Sequence, residues 1–118
     1  MTKKIKNTIT INVELNEKKH PEKIEWNSTD NPNGTKPMDC KAMLVSFFDK
    51  KHLETYKIDL WTGELQVSEM DRFMYQTLRS MADTYFSATG NKELASDMQR
   101  FVQYFGEQTQ IIPIEEKE

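Results

Sequence analysis

The first half of the chain alternates apolar and polar residues with a period of two. The longest run carries its apolar side chains at odd positions: Ile5, Ile9, Ile11, Val13 and Leu15. Such a run is typical of a strand with one buried face. After a polar turn at 16–21, residues 23–26 predict a second, short strand. Residues 27–37 contain nearly every turn-forming residue type, so we expect a surface loop there.

Residues 40–48 are apolar on both alternations, so the pattern alone fits either a helix or a strand. We interpret the segment as a strand because a turn-like sequence, 49–52, follows it and residues 56–60 alternate again. The two strands then form a hairpin. Its loop is either 50–51 or 50–53. With either loop, the numbers of two paired residues sum to an odd number, so odd-numbered residues of the first strand share a face with even-numbered residues of the second.

The two faces of this predicted hairpin differ in composition. One is apolar throughout and is predicted to be core: Met43, Val45, Phe47, Tyr56, Ile58 and Leu60. The other mixes polar residues with large apolar side chains near the turn, namely Leu44, Phe48 and Leu53. In a two-layer fold this second face is turned towards solvent, and interfaces commonly have a polar rim around an apolar centre. We therefore predict that the face with Leu44, Phe48 and Leu53 carries either self-association or the binding of a partner.

The second half of the chain changes to a period of 3.6. A helix is predicted from an N-cap at Ser68 to about Thr89, with an apolar stripe made of Met70, Phe73, Met74, Thr77, Leu78, Met81 and Tyr85. Gly90 suits a left-handed C-terminal cap, and Asn91 can cap the next helix. The stripe of that second helix is Leu94, Met98, Phe101, Val102, Phe105 and Thr109, and we expect its phenylalanines to be buried. The short connection makes the two helices antiparallel neighbours.

The element order is therefore β-β-β-β-α-α. Strands followed by helices predict a two-layer α+β fold, in which an antiparallel four-stranded sheet has an antiparallel two-helix hairpin packed on one face. The chain of 118 residues is the length of one domain. We expect an ordered core over about 5–110, with tails at 1–4 and 113–118.

Charge and composition exclude several classes of partner. The net charge is −3, so the domain has no electrostatic reason to bind nucleic acid. No apolar run approaches the length that spans a bilayer, and the first residues do not resemble a secretory signal. The single cysteine, Cys40, fits a reducing compartment. We expect a cytoplasmic protein without membrane insertion.

The residue types that carry chemistry are scattered. His20 and His52 lie in different predicted turns, Cys40 has no cysteine partner, and none of them has the spacing of a metal site. The glycines are isolated, so there is no phosphate-binding loop. Asp59, between two apolar residues of a strand, is interpreted as a surface acid. We predict no catalytic, cofactor-binding or metal-binding residue, and no enzymatic activity.

The apolar content of the helices leaves two interpretations open. Four methionines fall on the helical stripes: Met70, Met74, Met81 and Met98. They favour adaptable core residues over a methionine-rich binding surface. The apolar arc of the first helix, from Phe73 round to Tyr75 and Phe86, covers roughly 220°, where a helix facing one core needs about 100°. That excess is compatible with an interface.

Four segments together resemble the GldC family of gliding-motility-associated proteins. They are HPEKIEW at 20–26, KAMLVSFF at 41–48, KIDLW at 57–61 and the helical sequence at 68–90. The similarity covers roughly 8–108 and is most specific from Lys57 to Gly90. The resemblance implies a small accessory protein of bacterial gliding, without catalytic residues to carry over. The loop at 27–37 and the segment after Gln108 lie outside it.

We therefore expect a non-catalytic accessory or interaction protein, acting as an adaptor or chaperone-like factor on a protein of the gliding machinery. Two alternatives stay open. One is a domain that binds a small hydrophobic ligand between sheet and helices. The other is an export chaperone similar to SecB, which shares the element order, although fold analogy is a poor guide to function. Self-association as a homodimer is compatible with each of them.

Overall fold

The computed structural model describes residues 3–30 and 36–114. It divides into two units, Met1–Leu65 and Gln66–Glu118, called here the strand unit and the helix unit. The elements are β1 (Ile9–Leu15), β2 (Pro21–Ser28), β3 (Met38–Cys40), β4 (Ala42–Phe48), β5 (Thr55–Trp61), α1 (Val67–Thr89) and α2 (Lys92–Gln108). The α+β class is confirmed. Neither helix combines the length and the apolar character needed to cross a bilayer, judged over the described residues.

The predicted single four-stranded sheet is wrong. The described strands form an antiparallel three-stranded sheet, β1-β2-β3, and a separate antiparallel pair, β4-β5. The predicted third strand is divided at Lys41, so that Cys40 still pairs with Ile24 of β2 whereas Ala42 pairs with Trp61 of β5. Continued pairing with β2 would reach Pro21, which has no N–H to donate. One apolar segment therefore supplies a strand to each sheet.

The register of the β4–β5 hairpin is the predicted one. Its cross-strand pairs include Met43 with Leu60, Val45 with Ile58 and Phe47 with Tyr56, each summing to an odd number. The Asp49 N–H donates to the carbonyl of Glu54 over 2.7 Å, which closes a loop of four residues, 50–53. The longer of the two predicted loops is confirmed.

The two predicted caps at the connection between the helices are confirmed. Gly90 has φ of 71°, and its N–H donates to the Phe86 carbonyl over 2.8 Å. The side chain of Asn91 accepts the N–H of Leu94 over 3.1 Å. The predicted N-cap at Ser68 is wrong, because α1 begins after Gln66. The Gln66 N–H donates to the Glu69 carboxylate over 3.0 Å, and this bond caps the helix one half-turn earlier.

Small residues, more than the predicted stripe of large ones, are buried in the helix unit. Its buried members are Ala82, Ala95, Val102 and Gly106. A Cβ atom on Gly106 would lie 2.8 Å from Cε2 of Tyr75, which shows how closely the chain approaches there. The expectation that the phenylalanines of the α2 stripe are buried is wrong for Phe101, which is exposed, whereas Phe105 is half-buried. The periodicity of a sequence is recognised from its large apolar residues, whereas the close approach of two helices depends on small residues between them.

Residues 110–112, which follow α2, are hydrogen-bonded to its last turn. Gln110 has φ of 62°, and the N–H groups of Ile111 and Ile112 both donate to the Gly106 carbonyl, over 2.9 and 3.2 Å. Both isoleucines are half-buried, whereas Ile114 is exposed. Parts of the two predicted tails, 1–2 and 115–118, and part of the predicted loop, 31–35, lie outside the described residues.

Candidate functional site

The strand unit leaves large apolar side chains in contact with water. Among its described residues, Ile24 and Thr62 are the buried ones. The exposed large apolar residues of its β4–β5 hairpin are Leu44, Phe47, Phe48, Leu53, Tyr56, Ile58 and Trp61. Exposed apolar patches on protein surfaces often mark interaction sites, so this hairpin is the candidate functional site.

One side of the hairpin, called here the apolar face, carries Met43, Val45, Phe47, Tyr56, Ile58 and Leu60. The sequence predicted this face to be core. That expectation is wrong at the end near the loop, where Phe47 is 59% exposed and both Tyr56 and Ile58 are exposed as well. Met43, Val45 and Leu60 are half-buried. The apolar alternation identified the face correctly, but alternation does not say what covers a face.

The opposite side, called here the mixed face, carries Ala42, Leu44, Ser46, Phe48, Thr55, Lys57, Asp59 and Trp61. The register places Leu44 and Phe48 on it, and Phe48 is 68% exposed. Lys57 and Asp59 form a solvent-exposed ion pair of 3.8 Å on it. Asp59 therefore has a partner on the surface. Sequence reasoning missed Trp61, although alternation already placed it on the same face as Asp59; in the structure it pairs with Ala42.

Leu53, the third predicted partner-binding residue, lies in the loop rather than on a strand. Its φ is 56°, the left-handed conformation, and its side chain is 67% exposed. The left-handed conformation costs a residue with a Cβ about 1–2 kcal/mol, so glycine or asparagine is favoured there. An exposed leucine recovers none of that free energy by burial within the strand unit. Unfavourable backbone geometry of this kind is often retained for function.

Asp49 holds the loop in this conformation. Its Oδ2 atom accepts the N–H of His52 over 2.6 Å and the N–H of Lys51 over 3.2 Å, and it lies 2.9 Å from Nδ1 of His52. The hydrogen bond from the His52 backbone, above all, lowers the pKa of the Asp49 carboxyl. The loop at the tip of the hairpin is therefore ordered by its own hydrogen bonds, and His52 belongs to this network.

The other candidates for chemistry are not brought together. His20 lies in the turn between β1 and β2, far along the chain from His52, and its N–H donates to the side chain of Asn16 in the same turn over 3.0 Å. Cys40 is a free thiol near the Ile24 carbonyl, and burial, followed by the charge of Asp39, raises its pKa. Over the described ranges, no three His, Cys, Asp or Glu residues are grouped as metal ligands.

Two open pockets flank the end of β5. One of about 380 Å³ is lined by His20, Pro21, Asp59, Leu60, Trp61 and Gly63. The other, of about 400 Å³, includes Thr62, whose buried hydroxyl has no hydrogen-bond partner among the described residues. One water molecule is enough to satisfy that hydroxyl. The exposed hairpin, rather than either pocket, is the distinctive feature of the strand unit.

Comparison with known families identifies the family of this chain. The model of a family described as gliding motility-associated protein GldC-like matches residues 21–111. The match includes β2 to β5, both helices and residues 109–111, which follow α2. No curated protein and no solved structure is similar enough to match. Because the family model covers well over half of the chain, the protein belongs to the GldC-like family of gliding motility-associated proteins.

Proposed function

We propose that this protein is a non-catalytic accessory factor of the gliding-motility apparatus. In this proposal it binds a protein of that apparatus through the mixed face and the loop of the β4–β5 hairpin. Family membership supplies the biological process. Leu44, Phe48 and Leu53 supply the contact, together with Trp61.

The conformation of Leu53 is the observation that carries the proposal. A loop selected only for folding would favour glycine or asparagine at a φ of 56°. The chain instead places a large apolar side chain there and leaves it exposed, on a loop that Asp49 holds in place. A pre-ordered apolar anchor loses little conformational entropy on binding, which increases affinity.

The composition of the mixed face supports a separable partner. Its exposed apolar members and Leu53 present roughly 400 Å² of apolar surface, within the size range of functional patches on monomers. Lys57 and Asp59 place polar groups on the same face. An apolar centre with polar neighbours is the usual anatomy of an interface whose partners also exist apart.

The same proposal locates the protein in the cytoplasm and gives it no catalytic role. Cys40 is a free thiol, which a reducing compartment preserves. His20, His52 and Cys40 lie in separate places, so none of them forms a nucleophile–base pair with another. The interaction itself is the proposed activity.

A chromosomal exchange in a gliding host tests this proposal. Phe48→Asp is expected to leave the protein folded and at its normal cellular level, because the site is exposed, while colony spreading is lost. Ile5→Asp is the matched control, because Ile5 is 95% exposed and lies before β1. It is expected to spread normally.

Two different results would contradict two different parts of the proposal. Normal spreading by Phe48→Asp would show that the mixed face is not the partner surface. Normal spreading after deletion of the whole gene would instead remove the role in gliding.

A further inference from the structure

We propose that this protein forms a transient symmetric dimer in which the β4 strands of two copies pair antiparallel, edge to edge, with Val45 on the two-fold axis. This goes beyond the proposed role in gliding and does not depend on it. The gliding partner contacts side chains of the mixed face and the loop, whereas the backbone along one strand edge holds the dimer together.

The edge of β4 that faces away from β5 is open. Among the described strands, β4 pairs with β5 alone. The Asp49 N–H donates to the Glu54 carbonyl over 2.7 Å, and the Thr62 N–H donates to the Lys41 carbonyl over 2.8 Å. Because hydrogen-bonded pairs alternate with non-hydrogen-bonded pairs in an antiparallel ladder, these two bonds show that the odd-numbered residues of β4 bond to β5. The N–H and C=O groups that point away from β5 belong to the even-numbered residues, Ala42, Leu44, Ser46 and Phe48.

The two edges of the hairpin differ in how strongly they resist pairing with a further strand. On β5 the outward-pointing positions include Lys57 and Asp59, and charged side chains at a sheet edge discourage further pairing. The sequence of β4 contains neither a charge nor a proline, and the strand keeps one register with β5 from Ala42 to Phe48. An uncharged, regular edge of this kind is a template for another strand.

The charges at the two ends of β4 are complementary to those of a second copy. Because the outward-pointing groups belong to even-numbered residues, antiparallel self-pairing sets even numbers opposite even numbers. The register centred on Val45 places Lys41 of each copy opposite Asp49 of the other, so opposite charges meet at both ends. Sliding one copy by two residues replaces Asp49 by Lys51 or Phe47. Charge complementarity therefore selects the register centred on Val45.

The side chains between these charges match in size. In this register Phe48 lies opposite the small Ala42 of the other copy, and Leu44 lies opposite Ser46. These are the hydrogen-bonded pairs, so the outward-pointing groups of each copy donate to and accept from the other. A hairpin of two strands is marginally stable alone, and pairing joins two such hairpins into one sheet of four strands. Because an edge contact buries less surface than a permanent dimer does, the dimer dissociates on dilution.

Disulfide cross-linking across the two-fold axis tests the register. Cys40 is first replaced by serine, so that each variant of the full chain carries one thiol. Val45→Cys is expected to form a covalent dimer under mild oxidation, because the Cα atoms of a non-hydrogen-bonded antiparallel pair lie about 4.5 Å apart, within disulfide range. Ile58→Cys is the matched control, because Ile58 pairs with Val45 in the hairpin and is the more exposed of the two. The two copies of Ile58 would lie about 15 Å apart, so this variant is expected to remain monomeric.

Proline substitution tests the same contact without a covalent bond. Ser46→Pro removes an outward-pointing N–H and is expected to weaken the dimer at least about tenfold in sedimentation velocity, because the proline ring also obstructs a neighbouring strand. Lys57 lies directly opposite Ser46, on the other edge of the hairpin. Lys57→Pro is therefore the matched control, and it is expected to keep the dimer affinity within about threefold.

Sedimentation of the wild-type protein does not depend on the folding of any variant. Its average mass is expected to rise with concentration from 13.9 kDa towards twice that value. A wild-type protein that stays at the monomer mass at every concentration would overturn the proposal. Equal cross-linking of Val45→Cys and Ile58→Cys would contradict the register. A dimer weakened by Lys57→Pro but not by Ser46→Pro would place the contact on the edge of β5 instead.

Discussion

The helical hairpin and the strand hairpin of this protein differ in which of their apolar side chains are buried. The helical hairpin, α1–α2, has small buried residues, including Ala82, Ala95 and Gly106, which allow close approach. The strand hairpin, β4–β5, has large side chains and leaves many of them exposed on both faces. A helix concentrates its apolar residues on one stripe, which a neighbouring helix can cover. A strand pair presents two faces, and one covering layer reaches only one of them.

This difference indicates which element is available for binding. The helices also expose aromatic rings, with Phe101 lying 6.4 Å from Tyr104 and 6.3 Å from Phe105 between ring centroids. These rings contact each other along one helix. Within the described ranges, neither Phe47 nor Phe48 packs against another aromatic ring in this way, so the exposed residues of the strand hairpin are the stronger candidates for contacts with other chains.

The largest expected effect lies in the helical hairpin and concerns Val102, which is 4% exposed. Val102→Asp should destabilise the helix unit by about 3–5 kcal/mol, because it buries a charge without a partner. Phe101→Asp, one residue earlier, should change stability by less than about 1 kcal/mol, since Phe101 is 53% exposed. Urea unfolding followed by circular dichroism at the helix band measures both.

Equal losses in these two variants would contradict the comparison between the hairpins. They would show that Phe101 is covered in solution, and that the helical hairpin, like the strand hairpin, has a surface that another chain or another part of this chain protects.

An intermediate effect is expected at the tip of the strand hairpin. Leu53→Gly should stabilise the isolated protein by about 1 kcal/mol, because glycine adopts a φ of 56° without the penalty that leucine incurs. The same change should weaken partner binding by removing the anchor. Leu53→Ala is the matched control, since it removes the side chain and keeps the backbone penalty. Chemical denaturation would contradict this account if the glycine variant were less stable than the alanine variant.

The smallest expected effect is the loss of stability of the 50–53 loop at acidic pH. The pKa of Asp49 is lowered in the folded protein, mainly by the backbone hydrogen bond from His52. A lowered carboxyl pKa contributes stability above the pKa of the unfolded chain, and this contribution is lost as the pH falls through the folded value. We expect an NMR titration of the Asp49 carboxyl to give a midpoint below that of an unstructured aspartate, with the His52 amide shifting in step. A midpoint at the ordinary value would mean that the loop is open in solution.

Features set by neighbouring residues were predictable from the sequence. The hairpin register follows from alternation around a short loop, and the caps at Gly90 and Asn91 follow from the conformations these residue types favour. The division of the third strand at Lys41 was not predictable in this way. The division depends on which strand pairs with the residues before Lys41 and which strand pairs with the residues after it. Neighbouring residues in the sequence do not contain that information.

The candidate site was predictable only in part. Period-two alternation places Leu44 and Phe48 on one face and Phe47 on the other, as observed. The left-handed backbone at Leu53 carries no sequence signal, because leucine is an unfavourable choice there. The alternation of apolar and polar residues also did not predict which apolar side chains of the hairpin are exposed. An apolar face reads the same in a sequence whether its own domain or a second chain covers it.

Amide hydrogen exchange measured as a function of protein concentration shows whether either hairpin depends on another chain. If the strand hairpin depends on another chain and the helical hairpin does not, protection of the β4–β5 amides rises with concentration while protection of the α1–α2 amides stays constant. Protection of both hairpins that is the same at every concentration would contradict the account, because it would show that the strand hairpin is as self-sufficient as the helical one.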